Sequence, residues 1–403
     1  MSSIRRSRSF ICILFIAVLW IATYQIRAQE PSSLPGWTAF THLFDESVDR
    51  DKVVGSSMVV VEGGHIIAHH AHGFADIANH KPVTEQTIFH YGSITKTLAA
   101  ISVMQLRDRG HLTLDDHVTQ YIPELRLVHN PYGSMDTITI RMLLSHSAGF
   151  QGPTWPYKQG KPWEPFEPTT WAQLVAMMPY QEVAFPPGSR YSYSNPAFIY
   201  LARIVELLSG DPWEVYVQKN IFGPLGLTRS YFGVTPYYLA DDRSHNYNVI
   251  PDPSGNAIVR DNGADFDPGI TIPNGGWNAP LTELATYLGF LTNATHGDPV
   301  KEHLYDTVLK HSTFDEMWKP LYPTDPTAEA QDQSIGMSFF NLRRGQTTLI
   351  GHDGSQAGFL AFMYLNPANK KAVVAAFNTS GERYEWKKTA VYTIREEVLK
   401  LLE

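Results

Sequence analysis

Apolar residues recur along this chain with changing period, and the changes divide it. A helix is predicted from Trp37 toward Val48. Two β-branched runs follow, "SSMVVVEGG" and "HIIAHHAHG". Gly63-Gly64 between them marks a hairpin. From Thr84 the texture changes. "SITKTLAAISVMQLRDRG" has apolar residues at helical spacing and stops at Gly110. "ITIRMLLSHSAGF" and "PAFIYLARIVELLSG" read as further helices. After Gln333 the alternation of strands returns in "SIGMSFFNLRRGQTTLIGHDG", "GFLAFMYLNP" and "KKAVVAAFN". Residues 385–403 read as a helix with Ile394, Val398 and Leu401 on one face.

Strands at both ends with helices between them predict one antiparallel sheet built from both chain ends. The expected class is α/β (α+β), with a sheet lobe of about 37–85 and 333–403 and an inserted, mainly helical lobe of about 86–332. No internal repeat is present. Two long stretches, 153–168 (rich in Pro, Trp and Tyr) and 237–276 (rich in Asp, Asn, Pro and Gly), read as ordered loops. Loops of that length in a compact domain are often functional.

The N-terminus follows another logic. Arg5, Arg6 and Arg8 precede "FICILFIAVLWIATY", an apolar run of fifteen residues. That is a secretory signal pattern, short for a membrane span, with cleavage expected after Ala28. The alternative is an uncleaved anchor. Residues 29–36, "QEPSSLPG", read as a linker, which leaves 37–403 as the folded domain of an exported protein, periplasmic or secreted. The one cysteine, Cys12, lies inside the signal. The mature chain therefore depends on packing rather than disulfides, which its size permits. With 403 residues, 43% hydrophobic and a formal charge of −8, the chain is globular and mildly acidic. It carries no Lys/Arg run and no electrostatic footprint for nucleic acid.

The candidate chemistry starts at "FHYGSITKTLAA", where Ser93 precedes Lys96 by three residues at a loop-to-helix junction. Positions i and i+3 share one helix face. Serine is a weak nucleophile and needs a base. A lysine serves if its ammonium is desolvated. The unpaired N–H groups of a helix start favour developing negative charge. Alone, S-x-x-K is a common chance match, and a capping serine beside a solvated lysine is the better explanation of it. Two later stretches change that. "FPPGSRYSYSNPAF" carries Tyr193-Ser194-Asn195, and "LIGHDGSQAGF" carries His352-Asp353-Gly354.

In this order, with flanks such as "GHLTLDDHVTQYIPEL" and "NGGWNAPLTELATYLGFL", the chain resembles the serine β-lactamase and penicillin-binding-protein superfamily. The likeness is to its class C branch, with its DD-peptidase, D-aminopeptidase and esterase relatives, and it runs from about Trp37 to Glu403. The resemblance implies a serine hydrolase without metal or cofactor, acting on a small-molecule or peptide substrate. Ser93 would be acylated, and Lys96 would take or share its proton. Tyr193 would bond both and pass the proton to the leaving group, its phenol pKa lowered by cationic neighbours. Asn195 would hold the substrate amide carbonyl and help fix Lys96. The N–H groups of Ser93 and Ser355, the latter just after Gly354, would form the oxyanion hole.

The third motif departs from the lactamase K-T-G. His352 replaces the lysine and Asp353 the threonine. A neutral histidine binds a substrate carboxylate less well, and Asp353 would repel one unless strand alternation turns it away. The departure favours D-amino-acid-containing peptides or small esters and amides as substrates. A β-lactamase or carboxylesterase of the same fold is the alternative, and a non-catalytic penicillin-binding or sensor protein is the reading from another class.

Other signals carry less. His70 and His72 share a strand face, without a Cys, Asp or Glu tied to them by sequence, and are assigned to an exposed hairpin. Residues 261–269, "DNGADFDPG", lack the twelve-residue EF-hand pattern and are assigned to a cleft loop. His146 is assigned a structural role under the site. Trp155, Tyr157 and Trp163 fit a cleft wall or loop packing equally.

Overall fold

The computed structural model describes residues 34–150, 168–328, 332–381 and 389–403. These fall within one compact unit. The segment expected to be a signal, with Cys12, and Trp155, Tyr157 and Trp163 lie outside the described residues.

Helix α1 (Trp37–Arg50) leads into strands β1 (Gly55–Glu62) and β2 (His65–Asp76). Gly63 and Gly64 turn between them with φ of 55° and 80°. Two consecutive positive φ angles make the tight turn that a right-twisted hairpin needs. Strand β3 (Lys81–Pro82) pairs with β2. The remaining strands of this sheet come from the other chain end: β4 (Tyr322–Pro323), β5 (Gln333–Ile335), β6 (Phe340–Arg344), β7 (Thr347–Gln356), β8 (Phe359–Asn366) and β9 (Lys371–Phe377). Their order is β3-β2-β1-β9-β8-β7-β6-β5-β4. The β1–β9 pairing, Ser56 opposite Phe377 through Glu62 opposite Lys371, joins the two ends as the strand pattern predicts.

Both faces of the sheet are covered, which explains the near-continuous apolar runs of β1 and β9. Met58, Val60, Phe362, Val373 and Ala375 face α1 and the C-terminal helix α5 (Ala390–Leu399), meeting Phe44, Val48, Ile394 and Val398. Val59, Val61, Ala361, Met363 and Val374 face the inserted lobe. That lobe is organised around α2 (Thr95–Asp108), buried on every side from Thr95 to Leu106. Helices α3 (Asn195–Ser209) and α4 (Leu281–Leu291) pack beside it. Ser194 Oγ caps α3 by accepting from the Ala197 N–H at 3.2 Å, and Gly210, at φ 78°, ends it.

Three expectations need correction. The helix predicted in "ITIRMLLSHSAGF" spans only Ile140–Leu144, because His146 takes a left-handed φ of 55° and ends the run. The stretch 237–276 is not all loop. Tyr247–Pro251 and Ala257–Asp261 form a hairpin whose turn is tied by Asp252 Oδ1, accepting from Ser254 N and Asn256 N. Thr379–Gly381 adds to it in parallel. The inserted lobe also holds a small sheet of Ile88–His90, Tyr231–Phe232 and Trp277–Pro280. The last helix runs over Ala390–Leu399 with Thr389 Oγ1 capping it by accepting from Tyr392 N at 3.1 Å, and residues 385–388 of the expected span lie outside the described residues. The histidines of the first hairpin have acidic partners after all. His70 Nε2 lies 2.6 Å from Asp45 and His72 Nε2 2.8 Å from Asp49, tying α1 to the sheet.

Candidate active site

The short strand Ile88–His90 delivers the chain to a 3₁₀ turn, Gly92–Ile94, that runs straight into α2. Ser93 sits in this turn, partly buried, with Lys96 in the first turn of α2. The turn is held from within: Thr95 Oγ1 donates to Gly92 O at 2.6 Å and Thr97 Oγ1 to Ile94 O at 2.8 Å. Lys96 is fully buried. Its Nζ lies 3.0 Å from Ser93 Oγ and donates to the carbonyl of Asn274 at 2.7 Å. Burial pushes its pKa well below the ordinary lysine value. Burial thus favours the neutral amine, within hydrogen-bond distance of the serine.

Tyr193 closes this group. Lys96 Nζ stands 4.9 Å from the centre of its ring. Desolvation raises the phenol pKa, and a hydrogen bond with Ser93 opposes the rise only in part. This runs against the expectation of a tyrosine acidified by cations, because burial pushes the phenol up. His146 stacks on the same tyrosine, ring centroids 4.5 Å apart and planes at 24°. Its Nδ1 accepts the Ser194 N–H at 2.9 Å, so the neutral ring carries its proton on Nε2. Burial and the nearby Lys96 push its pKa well down.

Asn195 opens α3 next to Tyr193, with its Oδ1 buried and unpartnered. It was expected to fix Lys96. The bond is made instead by the main chain of Asn274, a residue the sequence pattern did not single out. No short motif marks it, since a backbone carbonyl leaves no side-chain signature.

The third motif reaches the turn because two glycines allow it. A Cβ on Gly354 would stand 2.0 Å from Tyr91 O, and one on Gly92 would stand 2.7 Å from Ser355 N. Gly92 also has φ 50°. Strand β7 therefore crosses directly over the nucleophile turn, with the Ser355 N–H beside it. His352 and Asp353 alternate as the pleat requires. His352 faces the site, its ring 6.3 Å from Tyr193 and 5.0 Å from Phe340. Asp353 turns to the opposite face and pairs with Arg395 of α5 at 2.7 Å. Burial, with help from Lys96, lowers the His352 pKa to about 3. Behind the site, His90 packs against Phe266 of the 261–269 loop at 4.8 Å.

A profile of the beta-lactamase family matches residues 40–393. The chain belongs to the beta-lactamase family. Esterase EstB of Burkholderia gladioli, a family relative, is 31% identical over 195 residues, covering 46% of this chain and 48% of that protein. The chain spans about half the length of curated relatives such as this one. The octameric penicillin-binding protein homologue from Pyrococcus abyssi has a TM-score of 0.72 at 23% identity, over 91% of this chain and 77% of the other. D-amino acid amidase from Ochrobactrum anthropi SV3 has a TM-score of 0.70 at 20% identity, over 90% and 98%. These two likenesses establish the beta-lactamase fold, a mixed α/β arrangement with an antiparallel sheet.

Proposed function

We propose that this chain is a serine hydrolase that works through an acyl-enzyme on Ser93. Its substrates are D-amino-acid-containing peptides or small esters and amides. The observation that carries the reading is the buried Lys96 amine 3.0 Å from Ser93 Oγ, with no carboxylate among the described residues bonded to it. Ser93 Oγ attacks the carbonyl carbon while its proton passes to Lys96 Nζ. The tetrahedral oxyanion is held by the N–H groups of Ser93 and Ser355, and donors so placed are worth about 3–4 kcal/mol each. Tyr193, a phenol rather than a phenolate, gives its proton to the leaving group as the C–O or C–N bond breaks. The proton on Lys96 then restores the phenol. Water repeats the sequence in reverse roles to free the acid and regenerate Ser93.

Export belongs to the same proposal, supported by Arg5, Arg6 and Arg8 ahead of the fifteen-residue apolar run. The test is a hydrolysis panel with protein lacking residues 1–28: p-nitrophenyl esters, D-alanine amides, D-Ala-D-Ala peptides and a chromogenic cephalosporin. Turnover of the esters or amides, with cephalosporin far behind, supports the reading. Cephalosporin hydrolysis near ~10⁷ M⁻¹s⁻¹, the range of highly evolved enzymes, would make the lactamase alternative correct.

A further inference from the structure

We propose that His90 and Gln356 form a pin that sets the oxyanion hole, with Gln356 the positioning residue for the Ser355 N–H. The proposal rests on acyl transfer at Ser93 and adds a determinant of its rate.

The hole needs such a device because of where its second donor sits. Strand β7 pairs with β6 only as far as Gly351, opposite Phe340. From His352 to Gln356 it pairs, among the described residues, with β8 alone. Ser355 is the next-to-last residue of this one-sided stretch, beside the nucleophile turn. Upstream, Asp353 is anchored to Arg395. Downstream, the anchor is the Gln356 side chain.

That amide lies between two segments that carry other parts of the site. His90 Nε2 is 3.2 Å from Gln356 Oε1, and Thr271 Oγ1 accepts from Gln356 Nε2 at 3.3 Å. His90 is buried and leads through Tyr91 and Gly92 to Ser93. Thr271 opens the short helix Ile272–Gly275, whose Asn274 carbonyl holds Lys96. A Cβ on Gly275 would stand 2.1 Å from Gln356 Oε1, so this helix closes directly on the amide. At the other ring nitrogen, His90 Nδ1 is 2.9 Å from Asn278 Oδ1. One side chain on the strand of the oxyanion donor therefore ties together the segments of the nucleophile and of the Lys96 acceptor.

The bonds suit an uncharged ring. A neutral imidazole donates from one nitrogen and accepts at the other, and a primary amide can do either. Burial, with Arg243 nearby, lowers the His90 pKa to about 4, so the pin is uncharged at neutral pH. An apolar side chain would fill the same space, but apolar contact is non-directional, whereas a satisfied buried network rigidifies what it joins.

The test compares wild type with Gln356→Met, His90→Leu, the double variant and His90→Gln in p-nitrophenyl ester hydrolysis, with thermal melts. Each of the first two should lower kcat by about 10- to 100-fold through misplacement of the donor, while KM stays within about threefold. The double variant should fall within about twofold of the worse single, because both break one pin. His90→Gln returns an amide and should recover most of the rate lost in His90→Leu. In the acyl-enzyme on Ser93, the infrared carbonyl band should move to higher wavenumber in Gln356→Met, the mark of a weakened hole. Wild-type kcat in a folded Gln356→Met protein, losses that multiply in the double variant, an unchanged carbonyl band, or rates that follow melting temperature instead of the band would each overturn the proposal. Acylation is read by protein mass in the same samples. An adduct on wild-type Ser93 with indifferent variants leaves acyl transfer standing and refutes the pin, whereas no adduct in wild type refutes both.

Discussion

Gly354→Ala perturbs the proposed oxyanion hole without touching any reacting side chain. The added Cβ would lie 2.0 Å from Tyr91 O and 3.5 Å from Ile94 Cγ1. A carbon and an oxygen prefer more than ~3 Å, so β7 must retreat from the nucleophile turn by about 1 Å. Tyr91 cannot yield instead: it is fully buried, and its N–H donates to Trp277 O at 2.9 Å. The Ser355 N–H moves with the strand. Misplacement by about 1 Å costs ~10²-fold, and outright loss of one oxyanion donor ~10²–10³-fold. The expected fall in kcat/KM is therefore about 10²–10³-fold, carried mainly by kcat. Overpacking should cost stability by only about 1–3 kcal/mol, leaving a folded protein. The assay is p-nitrophenyl ester hydrolysis beside a thermal melt. Ser355→Ala is the control: its side chain is exposed and its N–H remains, so it should stay within about threefold of wild type. A folded Gly354→Ala protein with near-wild-type kcat would refute the placement of the hole.

Lys96→Met should abolish turnover yet raise stability. Lysine holds fewer protons folded than unfolded, so stability rises with pH up to the ordinary lysine value. The gain from removing it should be largest at low pH and shrink toward pH ~10.5, measured by urea midpoints. kcat/KM should fall on the acid side as Lys96 takes a proton, and hold on the alkaline side to about pH 10, because Tyr193 is pushed up. A fall between pH 7 and 9.5 would instead point to a tyrosine that must lose its proton. His90 is buried with its pKa lowered to about 4, so the unfolded chain gains a proton below pH ~6.5 that the fold refuses. His90→Gln should flatten the loss of stability between pH 6 and 5 by about 1.4 kcal/mol per unit, and parallel curves would count against it. N-terminal sequencing from the native host should find a mature chain starting near Gln29, whereas a retained 1–28 in the membrane fraction would mean an anchor.

The sheet was legible because its strands alternate: Val59 and Val61 serve one core, Met58 and Val60 the other. Ser93 and Lys96 were legible because both sit in one helical turn, where spacing in sequence is spacing in space. The position of Asp353 followed from the pleat alone. What lay hidden depends on tertiary contact. Arg395 reaches Asp353 from 42 residues away and the carbonyl of Asn274 reaches Lys96 from 178, and neither carries a local motif. The hairpin inside 237–276 was obscured because its strands are short and one is wholly exposed, leaving no apolar alternation to read. The charge states were hidden too. Whether Tyr193 is acidified depends on how much water Lys96 has lost, which only packing decides.

The central claim is that Ser93 is acylated, and intact-protein mass spectrometry tests it most directly. Protein is mixed with a slowly deacylating p-nitrophenyl ester and quenched in acid within one turnover. The account predicts a mass increase of one acyl group, located by peptide mapping between Phe89 and Ala100, and its absence in a folded Ser93→Ala protein. Ester hydrolysis by Ser93→Ala at near-wild-type rate, or an adduct that survives that substitution, would contradict it.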